Sequence, residues 1–238
     1  MKRLLLAFGL LAACKDGGIL TETGNPELDG KMQLAAHTSD ADAVALGTEG
    51  SAEVVVDSAT VGLERLRLFQ GQGCQTPAGS NFDVSVPDTL SLVGPPDTRG
   101  FSAQEGNFCR LHIKFSVAPE LDDGTLEVSG TLDDHTSFRL HSKHVQQLEL
   151  RSDTAFSFSA ENSSFVLGFD AARWFEGIAW DQAEITDGIV IDADNNADLL
   201  SDIEAQFDKS LDLFADTNGN GLLDEDESET VLATSDTE

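Results

Sequence analysis

The stretch FCRLHIKFSV, residues 108–117, alternates with a period of two. Cys109, Leu111, Ile113, Phe115 and Val117 share one parity; Arg110, His112, Lys114 and Ser116 share the other. Successive side chains of an extended chain point to opposite faces, so this is a strand with one face in a core and one in water. It also aims Cys109 inward. Working outward, further runs with strand character lie at 31–36, 52–56, 61–69, 82–86, 125–132, 138–140, 145–150, 156–159 and 164–169. Turn signals such as VGPP at 93–96 and DDG at 122–124 separate them. With no helical period between the runs, residues 31–191 are predicted to form a mainly β domain, an antiparallel β-sandwich.

After Ile189-Val190-Ile191 the period changes. Leu199, Leu200, Ile203, Phe207, Leu211 and Phe214 recur at spacings of three and four. That stripe predicts an amphipathic helix, capped by Asn196 and running to about Phe214, which would pack on the sandwich. Next comes DTNGNGLLDEDE, residues 216–227. It resembles an EF-hand calcium loop position by position. The resemblance implies Ca2+ as cofactor, held by the side chains of Asp216, Asn218, Asn220 and Glu227 and by the carbonyl of Leu222. Asp224 would hold a bridging water, and Gly221 would make the sharp turn. Ala215 stands where an apolar contact usually precedes the first aspartate, and the exit helix, 225–233 at most, is short. Isolated loops of exported bacterial proteins are similar, and the dissociation constant expected is on the order of 10⁻⁴ to 10⁻³ M. The alternative is a solvated acidic tail that matches by composition. A second acidic stretch, DADNNAD at 192–198, has Ala197 where glycine belongs and Ile203 at the closing position, so it reads as a strand-to-helix turn. Residues 192–238 are therefore expected to form one unit, a C-terminal helix with an EF-hand-like loop.

The chain opens MKRLLLAFGLLAAC. Two cations precede an apolar run too short to span a bilayer, which is the form of a secretory signal. Leu11-Ala12-Ala13-Cys14 resembles the bacterial lipobox. This implies a signal peptide over 1–13, lipidation of Cys14, and a lipid-anchored tether over 14–30. It also implies the membrane as a partner through that anchor. Lys15, rather than aspartate, follows the cysteine, which points to the outer membrane of the cell envelope. TETGNP at 21–26 resembles the start of uncharacterised myxobacterial-type lipoproteins, which share a β-rich body and an acidic end. VDSATVGLERLRL, NFCRLHIKF and FDAARWFEGI extend that resemblance, and no activity comes with it. Two cysteines remain, Cys74 and Cys109, and an even pair in an exported chain is expected to form a disulfide. Free thiols or half of a metal site are the alternatives, and no CxxC spacing favours the latter.

Charge narrows the function further. The 238 residues carry 14 Lys+Arg against 43 Asp+Glu, a net charge of −29. Loss of Lys2 and Arg3 with the signal takes this to −31. From 181 to 238 the chain has 18 acids and a single base, Lys209. Nucleic acid is excluded as a partner; divalent cations or a saline habitat suit the excess. No GxSxG, HExxH, Walker or GxGxxG motif is present, so a non-catalytic protein is expected. Two other constellations remain. His112, His135, His141 and His144 could bind a transition metal if their strands pair suitably, although His141 and His144 have opposite parity. Trp174, Phe175 and Trp180 would either stack on a surface glycan or plug one end of the sandwich.

Overall fold

A computed structural model describes residues 28–37, 54–70, 74, 81–94, 97–103, 106–132, 135–158, 164–220 and 222–235. The expected signal peptide over 1–13 and residues 14–27 of the expected tether lie outside them, whereas residues 28–30, expected in the tether, belong to the first strand. The elements in chain order are β1 (Leu28–His37), β2 (Val54–Gln70), β3 (Asn81–Ser91), β4 (Asp97–Ala103), β5 (Gly106–Phe115), β6 (Leu126–Leu132), β7 (Ser137–Ser142) and β8 (Gln147–Phe158). They continue with β9 (Ser164–Asp170), α1 (Ala171–Trp174), β10 (Ile189–Ile191), α2 (Ala197–Phe207), β11 (Leu211–Ala215), α3 (Glu225–Ser228) and β12 (Val231–Thr234). The protein is mainly β, as the alternation predicts.

All twelve strands belong to one hydrogen-bonded sheet, in the order β10-β7-β6-β2-β5-β8-β12-β11-β9-β1-β4, with β3 on β2. The expectation of a purely antiparallel arrangement is corrected. β1 runs parallel to β9, and β10 runs parallel to β7. A parallel pair needs a long crossover, and both pairs have one, because several other strands intervene in sequence. The segment 192–238 is interleaved with the rest, since β11 and β12 lie between β8 and β9.

β2 organises the sheet. Residues 54–56 and 61–69 of two predicted runs belong to this one strand, just as 147–150 and 156–158 of two others belong to β8. The N-terminal half of β2 pairs with β6, and its C-terminal half pairs with β5 and β3. Register shifts at Val56/Ser58 and Leu63/Arg65 bend it between these partners. Gly62 marks the handover. A Cβ there would lie 2.2 Å from the Ser116 carbonyl oxygen, so only glycine permits the approach. β5 keeps the predicted parity, with Cys109, Leu111, Ile113 and Phe115 buried. Val117 lies past its end and is exposed. Cys109 is bonded to Cys74, with 5.1 Å between their Cα atoms. β4, DTRGFSA, lacks an alternating apolar pattern and is not among the predicted runs.

The core is built from aromatic rings. Phe115 of β5 lies 6.0 Å from Phe169 of β9 and 5.8 Å from Phe207 of α2, and Phe169 stacks on Phe207 at 5.2 Å. The predicted helix to Phe214 ends at Phe207 instead. Ser210 explains the stop: its hydroxyl donates to the Phe207 carbonyl and accepts from the Trp174 indole N–H, both at 2.8 Å. The chain then extends as β11, pairing Leu211 to Ala215 with Phe169 to Phe165 of β9. A helix through this segment would leave those β9 backbone groups unpaired in the interior, a cost that outweighs the helical spacing.

Candidate functional site

The acidic stretch 216–227 connects β11 to α3 and β12. Its flanks are therefore a strand and a single helical turn, not the helix expected before it. Two carboxylates stand out because they are buried. Asp216 is 6% exposed and Glu227 is 4% exposed. An ionised carboxylate leaves water only where donors or cations receive it. Asp216 is fixed through its backbone, whose N–H donates to the Ser164 carbonyl at 3.0 Å; its Oδ1 accepts from the Gly219 N–H at 2.6 Å. Glu227 reaches back across the loop. Its Oε1 accepts from the Thr217 N–H at 2.7 Å and from the Thr217 hydroxyl at 2.8 Å, and its Oε2 accepts from the Asp224 N–H at 3.4 Å.

Between these two ends the side chains fold the loop onto itself. Asn218 Oδ1 accepts from the Asn220 N–H at 2.8 Å, and Asn220 Oδ1 accepts from the Leu222 N–H at 2.7 Å. These are Asx turns, in which a side-chain oxygen holds the backbone two residues on. Gly219 takes φ +73°, a conformation that suits glycine. The amide nitrogens of Asn218 and Asn220 both donate to Asp224 Oδ2, at 2.6 and 2.9 Å. Three predicted ligand side chains thus meet at one atom. Asp224 and Glu227 also meet, at the start of α3. The Leu222 side chain is exposed. Gly221 lies outside the described residues.

The donor set is all oxygen once the two amides turn their carbonyls inward, and hard oxygen donors suit calcium rather than zinc or copper. Such a turn gives up the two Asx hydrogen bonds from the Asn220 and Leu222 N–H groups, so the loop must rearrange to take the ion. The carboxylates alone do not make a site. Among the described residues, no group of three or more His, Cys, Asp or Glu side chains stands close enough to share a metal ion. In a calcium loop the asparagines and a carbonyl complete the shell. Thr217, which clamps Glu227, is the one functional neighbour that the template does not name.

The second acidic stretch is a turn. Asp192 Oδ1 accepts from the N–H groups of Asp194 and Asn195, each at 2.8 Å. Burial pushes the Asp192 carboxyl up, and these hydrogen bonds outweigh it, so its pKa is lowered. Asn196 holds the N-cap position of α2 but makes no capping bond with its side chain, contrary to expectation. It sits at φ +54° and clips two segments together instead. Its Oδ1 accepts from the Glu184 N–H at 2.7 Å, and its Nδ2 donates to the Val190 carbonyl at 2.7 Å.

The histidines have separate surroundings. His112 meets Glu149 Oε2 at 2.8 Å and packs on Phe69. His141 Nε2 lies 2.9 Å from the Leu121 carbonyl, His144 is exposed, and His135 occupies a turn at φ +65°. Trp174, Phe175 and Trp180 are buried in the core, with Phe138 5.5 Å from both Phe175 and Trp180. Comparison with protein-family models, with curated protein sequences and with solved structures finds no match for this chain.

Proposed function

We propose that this is a non-catalytic, lipid-anchored protein of the bacterial cell envelope, with one structural calcium ion in the loop 216–227. The observation that carries the calcium reading is the pair of buried carboxylates, Asp216 and Glu227, at the two ends of a loop whose other template positions hold oxygen donors. Asp216, Asn218, Asn220 and Glu227 would bind through side chains, Leu222 through its carbonyl, and Asp224 through water. The lipobox Leu11-Ala12-Ala13-Cys14 supports the anchor. The bend of β2, which divides its pairing between β6 and β5, supports a sandwich-like arrangement of the sheet.

The ion would act on the sheet through β12. Among the described residues that strand pairs with β8 at a single position, Thr234 with Arg151, and with β11 at three. Closing the loop between β11 and β12 would hold β12 in place. Calorimetric titration of calcium into chelator-treated protein tests this, with thermal unfolding recorded in parallel. One equivalent should bind. At about ten to one hundred times the dissociation constant, the fold should gain about 1.4–2.7 kcal/mol, or about 3–10 °C for a chain of this size. No heat and no shift at millimolar calcium would reduce the loop to a hydrogen-bonded acidic turn.

A further inference from the structure

Where β2 bends, a hollow of about 370 Å³ opens on the surface. It lies between residues 62–64 of β2, Thr89 of β3 and the segment 116–120 that follows β5. Backbone hydrogen bonds fix these walls. The Ser116 N–H donates to the Gly62 carbonyl at 2.9 Å, the Ala118 N–H to the Gly124 carbonyl at 2.9 Å, and the Leu121 N–H to the Ala118 carbonyl at 3.0 Å. The register shift between Leu63 and Arg65 leaves Glu64 as the extra residue of a bulge. The volume falls within the range of small-molecule pockets, roughly 300–1,000 Å³, which are largely preformed.

The lining holds two carboxylates, Glu64 and Glu120, and no Lys, Arg or His. Glu64 is already engaged: Lys114 Nζ lies 2.7 Å away, and the Ser116 hydroxyl also hydrogen-bonds it. Glu120 is exposed, and no ion pair holds it among the described residues. Val117 is 45% exposed, an apolar wall left in contact with water, and the exposed Pro119 also lines the hollow. An anion would meet only carboxylates, on a chain of net charge −29. A sugar would find no aromatic ring to stack on. A metal ion, which needs several oxygen donors, would find one uncommitted carboxylate. A cationic head on a small apolar body fits what remains.

We propose that this hollow binds a small primary amine, with its ammonium group on Glu120 and its apolar chain on Val117 and Pro119. The excess of acid over the whole surface raises the local concentration of such a cation. Burial of the chain against the apolar wall adds a gain that a bare inorganic cation lacks. Neither calcium nor the lipid anchor enters into this binding.

The test follows the backbone amides of the isotope-labelled full chain by NMR during titration with hexylammonium, hexanol or hexanoate at millimolar concentration. Hexylammonium should shift the amides of Gly62, Ser116 and Val117 saturably, and hexanoate should not. Glu120→Gln should weaken hexylammonium about fivefold, the worth of one exposed charge, and leave the thermal transition in place. Glu176→Gln, at an exposed acid outside the lining, should bind as the parent does. Val117→Ser should narrow the gap between hexylammonium and methylammonium, because the apolar wall acts on the chain and not on the head. Hexanol binding as tightly as hexylammonium overturns the proposal, since the carboxylate would then contribute nothing. So does an equal loss in Glu176→Gln, which would mean diffuse attraction to an acidic surface. The absence of any saturable shift at the three amides overturns it outright.

Discussion

β5 and β12 are both interior strands of the same sheet, yet they are held in different ways. β5 pairs with β2 from Phe108 to Phe115 and with β8 from Gly106 to Lys114, and Phe108, Leu111, Ile113 and Phe115 are fully buried. β12 has four residues, touches β8 at one register position and buries Ala233. A fully buried Phe or Leu contributes about 1.5–3 kcal/mol, and an alanine methyl far less. β5 is therefore secured by burial that no ion or proton changes. β12 depends on its connection to β11, in which six of the fifteen residues 216–230 are Asp or Glu. One sheet thus combines a strand secured by its own burial with a strand that its own burial secures far less.

Breaking the aromatic side of this contrast should have the largest effect. Phe115→Ala removes the ring that meets Phe169 and Phe207, and should cost about 3–5 kcal/mol, read by denaturant unfolding and equal with or without calcium. Reduction of Cys74–Cys109, or Cys74→Ala with Cys109→Ala, should cost about 4 kcal/mol by loop entropy for a separation of 35 residues. That loss should likewise ignore calcium. Glu227→Gln acts on the other side. It should abolish the calcium-dependent gain of about 1.4–2.7 kcal/mol and leave the β5 ladder protected in hydrogen exchange. A calcium-dependent gain that survives in this variant would remove Glu227 from the site.

The smallest effects are those of protons, and they run in opposite directions in the two regions. Beside β5, burial pushes Glu149 up, but hydrogen bonds from Arg151 and His112 outweigh it and leave its pKa below the usual 4.5. Its stabilising contribution is complete above that value and is lost as the pH falls through the lowered one. Near β11, burial raises the Asp208 carboxyl above 3.8, with Glu204 adding to the rise, and Asp208 Oδ1 is buried without a hydrogen-bond partner. Its penalty is complete above the raised pKa and is relieved as the pH falls. Asp208→Asn should therefore stabilise at neutral pH, by less than about 1 kcal/mol for a half-exposed group. Glu149→Gln should destabilise there by a similar amount. Thermal unfolding between about pH 3 and 7 reads both, and a destabilised Asp208→Asn protein would refute the first.

What the sequence reveals follows from the same physics. The parity of 108–117 shows β5 and its buried face because alternation survives where one side meets a core and the other meets water. The pairing of Cys74 with Cys109 was legible from the even count of cysteines left once the opening segment reads as a signal, and the two sulfurs are bonded. β11 was hidden because Phe207, Leu211 and Phe214 happen to keep helical spacing, and a five-residue apolar run carries no period long enough to decide. Its state is set by the open edge of β9, some forty residues earlier, and no local pattern records that. The positions of the loop that match the calcium-loop template are readable one by one. The strand before it, the Thr217 clamp and the burial of Asp216 are tertiary facts. The outer side of β5 was half visible, since Arg110 and Lys114 mark it, but their partners Glu149 and Glu64 depend on a register with β8 and β2 that only pairing fixes.

The one register pair that ties β12 to β8 among the described residues, Thr234 with Arg151, has a consequence for the sheet at high protein concentration. If β12 swings out, β8 and β11 each present unpaired amides and carbonyls, and the sheet acquires two raw edges in its middle. A strand from a neighbouring molecule could fill that gap as well as β12 does, so the joint is also the place where two copies could exchange strands. On the calcium reading proposed above, scarce calcium would then act as a trigger for entanglement. The acidity of the segment would be its safeguard, because two such ends repel each other before either can trade places.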